Sequence, residues 1–402
     1  MPVGNRRTAG PLALLLLSVL ATQTSLHLAR PLISYRVIAL GGDALAVGLI
    51  TSAYALLSLV VALPLGRYTD RTGRTVAVLL GGTFLLATGA ALLGVSSSLP
   101  ALGASSAVLG FGHIAFMLGG QGFTASLGRD RDLDRNFGLF TAATSGGQLL
   151  GPLLVGLLLE EQPTERLTAA TANALHVAAL ICCAAIPTAL LLRRTGTSGG
   201  KTGTGGPAPG VRAMLRRPGM LPGLFSSLAL LAAVDILTAY LPLIAHERGI
   251  PPALTGLLLA VRAATSLLSR LSLAWMTARW SRKALIITSS LGAGLSLAIT
   301  SLPVSGPVLM AAALGLGGFL LGIGQPLTMT AVVKSVPDTA RGAALAVRLW
   351  ANRIGQIAMP AAAGAFAGVL GAAGALWFSC GVLVAAAGSM ATTGTAPHQP
   401  EE

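Results

Sequence analysis

Polar positions along most of the chain are too sparse to mark one face of a helix or to alternate as in a strand. Apolar stretches recur instead, broken by short polar segments. A helix needs about 20 mainly apolar residues to cross the hydrocarbon core of a bilayer. On that rule the pattern predicts spans at Leu12–Arg36, Leu45–Leu65, Val76–Val95, Ala101–Leu127, Phe137–Leu159 and Ala169–Leu192. A second set follows at Pro222–Ala245, Ala253–Thr277, Ala284–Leu302, Pro307–Val333, Ala343–Val369 and Ala375–Ala391. Between the two sets lies Thr195–Val211, rich in Gly, Thr, Ser and Pro, which reads as a flexible linker. The expected fold is therefore all-α and membrane-integral, with about twelve spans. Residues 1–194 and 219–402 would form two six-helix bundles, joined by a linker at 195–218.

Composition agrees. The 402 residues are 53% hydrophobic and only 10% charged, against about 25% charged in a soluble domain. The apolar run after Arg6 and Arg7 outlasts a signal-peptide core and has no clean cleavage site, so it reads as a retained first span. Cys182, Cys183 and Cys380 sit inside apolar runs without metal-ligand or disulfide spacing and read as small buried hydrophobes. Gly200-Lys201-Thr202 hints at a phosphate loop, but the earlier glycine is missing (Thr195 stands there) and no strand precedes it. No cofactor or metal is expected.

The formal net charge of +14 changes the picture only through its distribution. Loops expected on one side carry Arg6, Arg7, Arg67, Arg71, Arg74, Arg129, Arg131, Arg135, Arg193, Arg194, Lys201, Arg212, Arg216, Arg217, Arg279, Arg282, Lys283 and Arg341. The opposite loops carry only Arg36, Arg166 and Arg248, beside Glu160, Glu161, Glu165 and Glu247. The positive-inside rule places both termini and the linker in the cytoplasm of a cell with an inner membrane. This asymmetry accounts for the basic charge, so nucleic acid is not an expected partner; the lipid bilayer is.

One polar break has a distinct form: Gly66-Arg67-Tyr68-Thr69-Asp70-Arg71-Thr72-Gly73-Arg74-Thr75, a basic turn with one carboxylate between two spans. It resembles the loop between the second and third helices of the major facilitator superfamily, Gly-x-x-x-Asp-Arg-x-Gly-Arg. In the fifth span Gly147-x-x-x-Gly151-Pro152-x-x-Val155-Gly156 resembles a motif frequent in that family's proton-driven antiporters, with Val155 replacing one glycine. The family's fourth-helix pattern keeps Gly110 and Gly112, but Ser106 stands at its arginine position. The resemblance implies a monomeric twelve-helix secondary transporter. The Gly66–Thr75 loop would be a gate, with Asp70 facing the start of the eleventh helix near Arg341–Ala343. A carboxylate at a helix N-terminus is favourable by about 0.3–1 kcal/mol.

The two halves echo each other. Gly48 and Arg74 are 26 residues apart, as are Gly256 and Arg282 (74 − 48 = 282 − 256 = 26), so Arg282 repeats Arg74. Ala278 stands where Asp70 stands in the first half. Gly147-Gln148-x-x-x-Pro152-x-x-x-Gly156 is matched by Gly355-Gln356-x-x-x-Pro360-x-x-x-Gly364. Internal repeats of this kind place a binding site at the repeat interface near mid-membrane.

Ionisable groups inside spans are expensive and by default line a cavity. The candidates for a substrate cavity are Arg30, Gln121, Gln148, Arg262, Gln325, Arg348, Asn352, Arg353 and Gln356, with 348, 352 and 356 on one helical face. Arg30 is equally well read as reaching for the interface, and Arg270 and Lys334 are expected to do so. Asp235 is the acid deep in a span: a proton-coupling site, or a structural partner of Arg262 or Arg353. His113 is the second proton candidate, and both it and His27 also fit as ordinary interhelical hydrogen-bonders. Several arginines against one carboxylate favour a small anionic or zwitterionic substrate, possible export included. A hydrophobic-drug antiporter is the main alternative, and a non-transporting receptor or scaffold a further one. No catalytic cluster lies in the spans, so an enzyme is not expected.

Overall fold

The structure is a computed structural model that describes residues 4–127, 130–159, 166–193, 211–304, 306–336 and 341–392. Among these residues the regular secondary structure is helical: α1 (Gly4–Ala39), α2 (Ala44–Thr72), α3 (Thr75–Val95), α4 (Leu99–Ser126), α5 (Asp130–Leu158), α6 (Leu167–Ala184), α7 (Ile186–Arg193), α8 (Val211–Leu215), α9 (Met220–Glu247), α10 (Pro252–Arg279), α11 (Arg282–Ser301), α12 (Pro307–Lys334), α13 (Arg341–Leu370) and α14 (Ala372–Ala391). Twelve spans long and apolar enough to cross a membrane result, with α6 and α7 together making one. This follows from the solvent: hydrocarbon offers backbone groups no partners, so each span bonds to itself as a helix.

Local sequence sets the ends. Asp43 accepts from the Ala46 amide (2.8 Å) to start α2, and Ser281 accepts from Ala284 (3.2 Å) to start α11. Pro252 and Pro307 open α10 and α12, where a missing N–H costs nothing. The predicted sixth span is broken at Ala185, whose amide turns back to the Cys182 carbonyl (3.0 Å). Pro187 has no N–H to continue the ladder.

The first loop is shorter than its sequence implies. α2 runs through Gly66 and Asp70 to Thr72, leaving only Gly73 and Arg74 between helices. Gly73 ends α2 at φ 65°, with its amide on the Thr69 carbonyl (2.9 Å), a left-handed conformation that glycine adopts without strain. Arg67, Arg71 and Arg74 are exposed. The side chain of Asp70, and those of 341–343 that it would face, lie outside the described residues. In the second half α10 ends at Arg279 and Ser281 caps the next helix at φ −64°, so the repeated loop is built by a different turn.

Within the first half α3 packs on α4 and α6, and α1 on α5 and α6; within the second, α11 packs on α12 and α14, and α9 on α13 and α14. The halves meet where α2 crosses α13, α5 crosses α10, and α1 and α2 reach α9. The α9 span is the most buried of the twelve, at 83% of its apolar window. Two arginines of the sparsely charged side tie helix ends. Arg36 donates to the carbonyls of Gly94 (3.1 Å), Ser96 (2.8 Å) and Thr168. Arg248 donates to Thr300 (3.2 Å) and Ser301 (2.7 Å). They satisfy the last carbonyls of α3 and α11, which have no partner inside their own helices. Lys334, expected to reach the surface, is exposed.

Candidate functional site

A cavity of about 210 Å³ lies between the two halves. Its walls come from α1, α2, α4 and α5 on one side and α9, α10, α12 and α13 on the other, so both halves contribute the same four spans in order.

The centre is an ion pair across the halves. Arg30 Nη2 of α1 donates to Asp235 Oδ1 of α9 at 2.6 Å. The second carboxylate oxygen accepts from Gln356 Nε2 of α13 (2.8 Å), and Gln356 Oε1 accepts from Arg353 Nη1 (2.8 Å). Asp235 is only 3% exposed; both its oxygens are bonded, as a buried carboxylate requires. The Arg30 guanidinium also lies 5.2 Å from the centre of the Tyr54 ring, within cation–π range. Tyr54 Oη is 2.6 Å from His113 Nδ1. Arg30 therefore turns inward instead of reaching for the interface. The partner of Asp235 is this arginine, not Arg262 or Arg353, and it comes from the other half of the chain.

The ion pair separates two voids. The 210 Å³ cavity lies on one side, and a pocket of about 10 Å³, lined in part by Thr51, Ser106 and Ala239, lies on the other. By chain direction those three residues lie nearer the arginine-poor ends of their helices than Tyr54, His113 and Asp235 do. The small pocket has room for about one water.

Beyond it the halves close on one another. A Cβ at Gly48 would strike the Pro360 carbonyl oxygen and the Gly364 backbone; a Cβ at Gly256 would strike the Pro152 carbonyl oxygen and the Gly156 backbone. Gly48 to Gly256, Pro152 to Pro360 and Gly156 to Gly364 are each 208 residues apart, so one contact is the repeat image of the other. Ser52 Oγ donates to the Ile357 carbonyl (2.7 Å), and Tyr240 Oη to that of Ala44 (2.8 Å). Among the described residues, the hydrogen bond between the halves that reaches furthest towards the arginine-rich side is Arg270 Nη1 to Ser145 Oγ (3.2 Å).

The α5 motif is a packing surface: Gly147 sits against the backbone of Gln23 and Thr24, and Gly151 against that of His27 and Leu28. These small residues let α5 approach α1 closely.

The predicted residues divide into three groups. Arg30, His113, Gln148, Asp235, Arg262, Gln325 and Gln356 line the cavity. Arg348, Asn352 and Arg353 are not on its wall. Arg348 and Asn352 share a helical face with Gln356 while Arg353 lies off it, and glutamines that line the cavity stand in front of both arginines. Arg348 Nη2 donates to Gln325 Oε1 (3.0 Å), as Arg353 does to Gln356. Gln121 is exposed and does not line the cavity either. Conversely, Arg270, expected at the surface, lines it, as do Gln23, His27, Tyr54, Met117 and Ser266. Tyr54 was legible in the repeat: it is 208 residues before Arg262. Gly110 and Gly318, also 208 apart, pack on the carbonyl oxygens of Tyr54 and Arg262 respectively.

A family model described as the Major Facilitator Superfamily matches residues 15–251 and again 223–401. Among solved structures, the chain is similar to a mutant of the nucleoside transporter NupG, at TM-score 0.81 and 14% identity over 96% of this chain and 99% of that one. It is similar to a POT family transporter in complex with a thioalcohol-conjugated peptide, at TM-score 0.75 and 15% identity over 94% of each chain. It is also similar to a bacterial homologue of the human lysosomal transporter Spinster, inward-facing and occupied, at TM-score 0.71 and 14% identity over 99% and 100%. No curated protein sequence matches. At these identities the structural matches bear on the fold alone.

Proposed function

The chain belongs to the Major Facilitator Superfamily, and from that premise we propose that it is a secondary carrier of a small anionic or zwitterionic organic molecule, working by alternating access and coupled to protons through Asp235. The observation that carries this reading is the Arg30–Asp235 pair, a charged contact between the two halves on the wall of the cavity they enclose. Rocking of one half against the other stretches this contact. Protonating Asp235 removes its attraction for Arg30, so proton occupancy biases the two arrangements. The sign of the cargo follows from the wall: Arg30, Arg262 and Arg270 face the cavity with Asp235, and that carboxylate is already taken by Arg30 and Gln356. The arginine asymmetry of the loops supports a cytoplasmic membrane, with both termini on the cytoplasmic side.

The test is flux in proteoliposomes under an imposed pH gradient, using the acids, sugars, nucleosides and amphiphilic drugs that stabilise the purified protein in a thermal-shift screen. Wild-type protein is expected to accumulate an acid or zwitterion. Asp235→Asn is expected to keep exchange of that solute across equal pH while losing gradient-driven accumulation. Accumulation intact in Asp235→Asn places coupling elsewhere, and no flux of any class counts against a carrier.

A further inference from the structure

We propose that Arg262 is the seat of the cargo's acid group, and that the cargo is a small monocarboxylate held end-on by this one guanidinium. The proposal rests on the carrier reading above and names the group its cargo must present.

The repeat sets up the argument. Arg262 of α10 and Tyr54 of α2 are 208 residues apart and face the cavity from opposite halves, each with a glycine (Gly318, Gly110) packed on its carbonyl oxygen. Tyr54 has an internal partner, His113. The residue 208 beyond His113 is Leu321, which also faces the cavity and has nothing to accept with. Arg262 is only 6% exposed, its Nε is buried without an acceptor, and none of its interactions among the described residues is a hydrogen bond or ion pair made by the guanidinium. A buried cation without a partner is among the most costly arrangements a protein can hold, and more so at membrane depth.

The other arginines around the cavity are already supplied. Arg30 has Asp235, Arg348 has Gln325, Arg353 has Gln356 and Arg270 has Ser145. With Nε buried, the terminal nitrogens are left to meet a ligand. Two parallel N–H groups match the two oxygens of a carboxylate. One free guanidinium also balances a single negative charge better than the two of a phosphate monoester. The cavity, about 210 Å³, is smaller than pockets that take drug-sized ligands. Leu26, Met117, Leu231, Val234 and Leu321 supply apolar wall for a short carbon body.

The experiment is a thermal-shift and titration series on the purified full chain. Small monocarboxylates are each compared with their own primary amide and with inorganic phosphate. At least one acid is expected to bind while its amide and phosphate do not. Arg262→Gln is expected to weaken that acid at least about tenfold, as loss of a charge-assisted pair does, without lowering the stability of the unliganded protein. Leu321→Glu is the second variant: it places a carboxylate where the repeat puts His113, and is expected to occupy Arg262 and abolish acid binding. An acid that binds Arg262→Gln and Leu321→Glu as tightly as wild type overturns the proposal, as does an amide or phosphate that binds as well as the acid. Flux of the same acid separates this from the carrier reading. Binding lost in Arg262→Gln with no wild-type flux leaves the site standing and removes the carrier; flux with unchanged KM in Arg262→Gln does the reverse.

Discussion

Arg36 and Arg248 do the same work at repeat-related places, yet their surroundings differ. Arg36 is buried, and its three carbonyl acceptors bring together the ends of α3 and α6. Arg248 is partly exposed, so water replaces some of what it gives. Hydrogen bonds to a charged donor contribute about 1.5–3 kcal/mol each, and buried carbonyls left without one are costly. Arg36→Ala is therefore expected to destabilise the protein by about 2 kcal/mol or more and Arg248→Ala by about 1 kcal/mol. Thermal unfolding in detergent should rank them in that order, and equal shifts would mean that burial does not set the difference. Both residues were visible in the sequence as isolated cations on the acidic side. Their acceptors were not, because carbonyls at helix ends leave no mark in composition.

Between helices, closure on the arginine-poor side depends on two approaches with no room for a side chain, Gly48 on Pro360 and Gly364, and Gly256 on Pro152 and Gly156. Packed interfaces tolerate little added volume. Gly48→Leu and Gly256→Leu are each expected to hold this side apart. In a cysteine-free background carrying Thr51→Cys beside the small pocket, either variant should raise labelling by an impermeant thiol reagent added on that side, and slow transport. Unchanged labelling would show that the contact is incidental to closure. α2 is held to the other half by added hydrogen bonds, from Ser52 to Ile357 of α13 and from Tyr240 of α9 to Ala44, so Gly256→Leu should open the side more than Gly48→Leu. Helix count and boundaries were largely readable, and so was the repeat that pairs these glycines. The break at Ala185 follows from Pro187, a local signal that the hydropathy pattern passes over.

For the molecule as a whole, the question is what balances its two arrangements. In the structure the halves are tied at mid-depth by Arg30 and Asp235 and at the arginine-poor ends by the glycine contacts. The opposite arrangement must close the arginine-rich side, and there the two repeated loops differ. The first ends with Gly73 in the left-handed region and offers Asp70, while the second turns at Ser281 and has Ala278. One carboxylate at a helix terminus contributes about 1 kcal/mol. Asp70→Ala should then shift the ratio of the two arrangements about fivefold towards the one open on the arginine-rich side, and slow transport with it. Distances between spin labels on the ends of α4 and α12 would read the shift, and an unchanged distribution would reduce the Gly66–Thr75 stretch to a basic turn.

Twelve spans, their order, the repeat and the side that carries the arginines were all decided by the chain itself. Hydropathy is a local property, and the bilayer leaves an apolar run of that length one way to satisfy its backbone. The pairing of charges was decided only in three dimensions. Asp235 meets Arg30 at a separation of 205 residues, and Arg348 and Arg353 stand behind Gln325 and Gln356, although both arginines were as plausible wall residues as Gln356 when read along α13. Among the described residues Arg262 has no hydrogen-bond or ion-pair partner for its guanidinium, since its repeat neighbour is Leu321. Which cations are spent and which is free depends on how two halves are laid against each other, and that arrangement comes from tertiary packing, beyond the reach of any local pattern.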